Sequence, residues 1–150
     1  VDELLAPGFD VTYASKVVLG RDHWMAATDE QRERFEKAFY DFLVRTYAKG
    51  LLGFDQTAMK IDPQPRYSKD GKKALVRTRL ALALGDAVQI DYALRNTDGV
   101  WKMYDVRIDG VSYIQNYRNQ FDAEITALGL QSVIERLEAQ SVAAAAKKAA

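Results

Sequence analysis

The sequence contains no cysteine, which removes disulfides, thiolate nucleophiles and thiolate metal sites together. It leaves the compartment open, because such a chain works in reducing or oxidising surroundings. Histidine is almost as scarce. The single one, His23, has no acid or nucleophile arranged in sequence to activate it, so neither triad logic nor a His-x-x-x-His metal pattern can be built locally. Its expected role is structural or at the surface. No carboxylate cluster has metal-ligand spacing, and Gly50-Leu-Leu-Gly53 lacks the lysine and strand-to-helix context of a phosphate loop. Neither a metal nor a cofactor is expected.

An excess of one charge is missing too. Twenty-one basic and 21 acidic residues cancel, which predicts neither a nucleic-acid footprint nor a patch for an anionic membrane. No apolar run approaches the roughly 18 residues of a membrane span. The chain opens at Val1 without a signal-like segment, as a processed or trimmed N-terminus would. With 48% apolar and 28% charged residues among 150, the expectation is one globular domain with a sizeable core.

What is present divides by hydrophobic period. Pro7-Gly8 marks an irregular start and Asp10 a candidate helix cap. Ala14, Val17 and Val18 form a narrow helical stripe that Gly20 is expected to end, with Arg21 to Ala27 as a connection. Thr28-Asp-Glu-Gln31 matches a capping box. It opens the clearest helix of the chain, whose apolar face carries Phe35, Ala38, Phe39, Phe42, Leu43 and Tyr47. Gly50 and Gly53 are expected to fray its end.

An antiparallel meander follows. Met59 and Ile61 alternate before Pro63 and Pro65, which suit an edge strand. Val76, Thr78, Leu80 and Leu82 share one face of the next strand, and Val88, Ile90, Tyr92 and Leu94 one face of the strand after it. Val100, Tyr104, Val106 and Ile108 continue that face. Arg77, Arg79, Asp91, Arg95, Asp105 and Arg107 fall on the other, which is expected to be solvated and laced with ion pairs. Gly110 then breaks the period. Ser112 and Gln115 match a second capping box, and Ile114, Tyr117, Phe121 and Ile125 recur at helical spacing. Gly129 is a helix stop, Leu130 to Leu137 a further short helix, and 141–150 an alanine- and lysine-rich tail, frayed or disordered, beyond a single domain over 1–140. Helix, helix, sheet, helix is an α+β layer structure: an antiparallel sheet of four strands or slightly more.

Chemistry has few candidates. Asp105, set between Tyr104 and Val106, invites a reading as a buried general base. Its parity places it instead with Arg107, so an ion pair with Arg77, Arg79 or Arg107 is the expectation. The inward aromatic set is a hydrophobic core on one reading. On another it is an apolar pocket, opened at the Gly110 hinge, in which burial alone holds a ligand. A fatty-acyl chain of ~16 carbons would gain on the order of 10 kcal/mol at about 0.8 per methylene.

Several stretches carry a resemblance. Val18-Leu-Gly-Arg-Asp-His-Trp24, Ala27-Thr-Asp-Glu-Gln-Arg32 and the phenylalanine-rich helix resemble the MlaC, or toluene-tolerance, family. So do Val76-Arg-Thr-Arg79, Ile90-Asp-Tyr92, Trp101 to Val106, Gly110-Val-Ser112 and Asn116 to Phe121. The match runs in order from about Leu5 to Leu137. It implies a curved, NTF2/cystatin-like sheet covered on one face by helices, with an apolar cavity between the layers. It also implies a monomeric periplasmic carrier of phospholipid that does no chemistry and binds no nucleic acid. Its partners would be an outer-membrane lipoprotein–porin complex and an inner-membrane ABC transporter with an MCE-domain subunit, in maintenance of outer-membrane lipid asymmetry. Carried over, Val76, Thr78, Ile90, Tyr92, Tyr104, Val106 and Ile108 match the sheet wall of the lipid pocket, and Val18, Phe35, Phe39, Phe42, Ile114 and Tyr117 its helical cover. Val111 falls at the entrance. A departure accompanies the match: the signal peptide and further helical segment usual in the family do not precede Leu5 here. The competing readings are an enzyme on a ketosteroid-isomerase-like cone fold acting on a small apolar substrate, with Asp105 or Asp91 as acid or base, and an interaction module whose aromatic face is only core.

Overall fold

The computed structural model describes residues 8–52, 59–81 and 85–149, with the side chains of 48–52 left aside. Leu82 and Gly53 lie outside the described residues. The chain divides into two contact units. One is helical, Val11–Leu52 with Gln115–Ala150, and the other holds the sheet and runs from Gly53 to Ile114 with the segment before Val11.

In the helical unit, α1 spans Val11–Ala26 and α2 spans Asp29–Leu52. Gly20 leaves helical geometry, with φ 75° and ψ 167°, yet helix resumes at once through Ala26. The glycine therefore kinks α1 rather than ending it, because only a residue without Cβ adopts that conformation cheaply. The expected capping box of α2 is reciprocal. The Gln31 N–H donates to Thr28 Oγ1 and the Thr28 N–H to Gln31 Oε1, both at 3.1 Å. The helix then runs through Gly50 to Leu52.

Helix α3 spans Tyr113–Leu128, and Gly129 ends it with φ 83° and its N–H on the Ile125 carbonyl. Helix α4 covers Leu130–Ala149, so Ser141 onward is helical, where the composition read as a tail. Val133, Ile134 and Leu137 are fully buried. Arg34 grips Glu138 through two 2.8 Å hydrogen bonds, tying α2 to α4, and the bidentate pair raises the arginine and lowers the carboxylate pKa.

The sheet unit holds six strands: β1 Met59–Ile61, β2 Arg66–Tyr67, β3 Lys73–Ala81, β4 Ala87–Thr97, β5 Val100–Ile108 and β6 Val111–Ser112. Neighbours run antiparallel in the order β1-β3-β4-β5-β6, with β2 also on β3. The α+β class and the antiparallel meander stand as the pattern indicates, and β5 has the bounds its alternation gives. Asp109 and Gly110, at φ 48° and 83°, form the two-residue turn between β5 and β6. The expected hinge is thus a tight hairpin, from which α3 starts one residue after Ser112.

One irregularity changes the parity count. Ala93 pairs with Asp105 but Leu94 with Met103, so Tyr104 is an extra residue on β5. Beyond this bulge the alternation inverts. Val100, which pairs with Thr97, falls in the row of Asp91 and Arg95, not with Val106 and Ile108, correcting the expected face. Met103 takes the place beside Leu94 that strict alternation would give Tyr104. The main chain of Gly8 and Asp10 bonds to both backbone groups of Met103 at 2.8 Å, tying the segment before α1 to the bulge.

Candidate functional site

The apolar face of the sheet is built by register. Val76, Tyr92 and Val106 stand opposite one another across β3, β4 and β5, and Thr78, Ile90 and Ile108 form the next row. Six of the expected wall residues therefore lie in two adjacent rows on one face. All but Thr78, which is buried, are half-buried. Thr78 donates from Oγ1 to the Ile90 carbonyl at 2.8 Å, so its hydroxyl is satisfied within the sheet. Burial raises the Tyr92 phenol pKa, partly opposed by a hydrogen bond with Thr78, so this side chain adds no charge to the wall. Tyr104 is set apart by the bulge, with Lys73 Nζ 5.7 Å from its ring centre. Val111 pairs with Ile108 and is 51% exposed. Ile114 is buried.

In the helical unit the expected aromatics form one cluster. Phe35 stacks on Phe39 at 5.6 Å and Phe39 on Phe42 at 6.4 Å. Tyr117 meets Phe39 and Phe42 edge-on at 6.0 and 5.5 Å. Phe121 completes it, perpendicular to Phe35 and Phe39. It stands one turn after Tyr117 on the same stripe, so its place among the site candidates was readable from spacing. The hydroxyls of Tyr47 and Tyr117 are hydrogen-bonded to each other. Val18, Phe35 and Phe39 are fully buried.

The carboxylates depart from expectation in burial but not in partners. Asp91 and Asp105 are only 4% and 5% exposed, so the charged face is not simply solvated. Asp91 lies in register with Arg77 and Arg107, pairs with Arg77 Nε at 3.2 Å and accepts from Gln89 Nε2 at 3.2 Å. Asp105 accepts from Ser112 Oγ at 2.6 Å and the Ile114 N–H at 3.1 Å, with Arg107 Nε at 3.7 Å. That carboxylate caps the start of α3. The hydroxyl of the expected Ser112–Gln115 box is on Asp105, while the Gln115 side chain donates to Asn119 Oδ1. His23 meets Asp122 of α3, 99 residues on, at 2.7 Å. Among the described residues no group of three or more histidine, aspartate or glutamate side chains could hold a metal, and no helix is long and apolar enough to cross a membrane.

The family model described as "MlaC protein" matches residues 1–139. The chain is 29% identical over 121 residues to toluene tolerance protein ttg2D of Pseudomonas putida, covering 81% of this chain and 55% of that protein. It is 25% identical over 137 residues to the intermembrane phospholipid transport system binding protein MlaC of Haemophilus influenzae, covering 89% and 63%. The chain thus spans between about half and two-thirds of these relatives. A phospholipid-binding protein from Ralstonia solanacearum, solved in complex with a phospholipid, matches with a TM-score of 0.80 at 27% identity, over 97% of this chain and 80% of that one.

Proposed function

The chain belongs to the MlaC family, and on that premise we propose that it is a phospholipid carrier, binding acyl chains on apolar surface and transporting lipid without chemistry. The observation that carries this reading is the sheet face itself. Its two adjacent rows present valine, isoleucine and tyrosine side chains across three strands, with their one hydroxyl-bearing threonine already satisfied. Such a surface favours hydrocarbon by burial alone, at about 25 cal/mol for each Å² removed from water. The helical unit, taken by itself, holds an apolar aromatic cluster around Phe39. Val111, exposed beside the Asp109–Gly110 turn, is the apolar side chain we assign to the lipid entrance.

The named relatives support the same reading: one is a binding protein of an intermembrane phospholipid transport system, and another was solved with a phospholipid. In the full account the protein works in the periplasm as a monomer. It shuttles lipid between an outer-membrane lipoprotein–porin complex and an inner-membrane ABC transporter carrying an MCE-domain subunit, thereby maintaining outer-membrane asymmetry. Catalysis on Asp91 or Asp105 gains no support, because both carboxylates are held by arginine and engaged in hydrogen bonds of the scaffold.

The test is lipid occupancy in variants. Val111→Glu sets a charge on the apolar entrance and Val106→Asp sets one in the wall, where an unpaired carboxylate is strongly disfavoured. Both are expected to lower the phospholipid extracted per mole of folded protein. Unchanged phospholipid in both variants would remove these surfaces from the site.

A further inference from the structure

The helical unit carries a second feature that the sequence scatters and the fold assembles. A surface groove of about 360 Å³ lies over the kink in α1, lined by Lys16, Val17, Gly20, Arg21, Trp24 and Met25, with Arg118 from α3. Three of these residues are cations and none is acidic. Among the described residues, none of the three cations forms an ion pair. Asp122, one turn beyond Arg118, is taken by His23 at 2.7 Å. On a chain whose formal charges cancel, this is a concentrated and unneutralised positive site.

The kink builds it. At Gly20 a Cβ would lie 3.5 Å from both Nε and Nη2 of Arg118, so the guanidinium rests against bare backbone. Trp24 organises the rest. Lys16 Nζ stands 5.4 Å from the indole centre, and Arg32 lies over the same indole at 5.0 Å while donating to the Trp24 carbonyl at 2.8 and 3.0 Å. Met25 projects beside this rim and is 69% exposed.

We propose that this groove docks the protein onto an anionic phospholipid surface, with lipid phosphates held by Lys16, Arg21 and Arg118 and Met25 dipping toward the acyl region. Arginine forks and a lysine point charge are the groups that recognise phosphate oxygens. An exposed methionine and an indole beside basic residues suit the membrane interface, where one side is apolar and the other wet. The cations over the indole separate this occupant from an acidic peptide with an apolar anchor. An anchoring side chain would have to displace Lys16 from the ring, whereas a phosphate uses Lys16 where it stands. The proposal goes beyond the carrier reading and fails separately from it, since no proposed lipid-pocket residue lines the groove.

Sedimentation with vesicles tests it, using the whole chain with vesicles of phosphatidylcholine alone and of equal parts phosphatidylcholine and phosphatidylglycerol. Binding is expected only to the anionic vesicles and is expected to weaken as salt rises. Each cation removed should lower partitioning roughly fivefold. Lys16→Gln and Arg21→Gln are the first variants, because both side chains are exposed, and the double variant should lose roughly twenty-fivefold. Met25→Asp should weaken binding while leaving thermal unfolding unchanged. Equal partitioning to both vesicle types, or undiminished binding by the double variant, overturns the proposal. So does binding of polyglutamate without binding of anionic vesicles, which would assign the groove to an acidic protein partner. Phospholipid extracted from the same variants separates the two readings: the double variant is expected to hold as much as the unaltered protein.

Discussion

Asp105 Oδ1 accepts the Ile114 N–H at 3.1 Å while its other oxygen takes the Ser112 hydroxyl at 2.6 Å, so one carboxylate of β5 holds the turn into α3. Arg107 depends on the same group, since its Nε is buried without a hydrogen bond and lies 3.7 Å from Asp105 Oδ2. Asp105→Ala would remove that partner and uncap the helix, at a cost of about 1–2 kcal/mol, mostly from the cap because the Arg107 side chain is partly exposed. Asp105→Asn keeps an oxygen for the Ile114 N–H and should cost about half as much. Urea unfolding of both variants measures this, and an alanine variant as stable as the parent would remove the capping role.

The two special glycines should behave differently. Neither meets a close neighbour, since a Cβ at Gly110 has nothing within 4 Å and one at Gly20 finds Arg118 at ordinary contact distance. Backbone conformation alone therefore sets the cost. Gly110→Ala, in the left-handed region of a hairpin turn, should lose about 1 kcal/mol. Gly20, at φ 75° and ψ 167°, occupies a region that is essentially glycine-only, and Gly20→Ala should lose more, up to about 3 kcal/mol. Paired thermal melts give the order, and a smaller loss at Gly20 would contradict it.

Truncating the aromatic cluster should be graded by burial. Phe39 contacts Phe35, Phe42, Tyr117 and Phe121 and is fully buried, so Phe39→Ala should cost about 3–5 kcal/mol. Phe42, only half-buried, should cost less. Denaturant midpoints at constant m-value report the difference.

The Arg34–Glu138 clamp predicts a pH dependence. Glu138 has its pKa lowered in the folded state, first by its hydrogen bond with Arg34. The unfolded chain therefore takes up the proton first as pH falls, and the contribution is full above the ordinary glutamate value of about 4.3 and lost below it. Both side chains are about a third exposed, so solvent screening keeps the effect small. Melting temperatures from about pH 6 to about pH 3 should fall less steeply in Glu138→Gln than in the parent. Parallel slopes would show that the clamp contributes nothing.

Much of this molecule is legible in its sequence because its signals are local. The Thr28–Gln31 box, the bounds of β5, the rows through Val76 and Thr78, and the stripe of Phe35, Phe39 and Tyr117 all follow from periodicity and capping chemistry within a few residues. What escapes is set by distant parts of the chain. A single extra residue at Tyr104 inverts the alternation toward Val100, and nothing in the local pattern marks it. The burial of Asp91 and Asp105 reflects an arginine on the neighbouring strand, Arg77, and an amide nine residues ahead, that of Ile114. His23 finds Asp122, and Lys16 and Arg21 join Arg118, only once helices have packed. Cancelling charges in composition likewise concealed a local basic groove.

The central claim is that phospholipid is what this apolar surface holds. Native mass spectrometry of protein purified without detergent measures it directly. The account predicts a second population, heavier than the chain by the mass of phospholipid, which releases phospholipid on activation. Several preparations showing only the mass of the bare chain, before and after incubation with phospholipid vesicles, would contradict it.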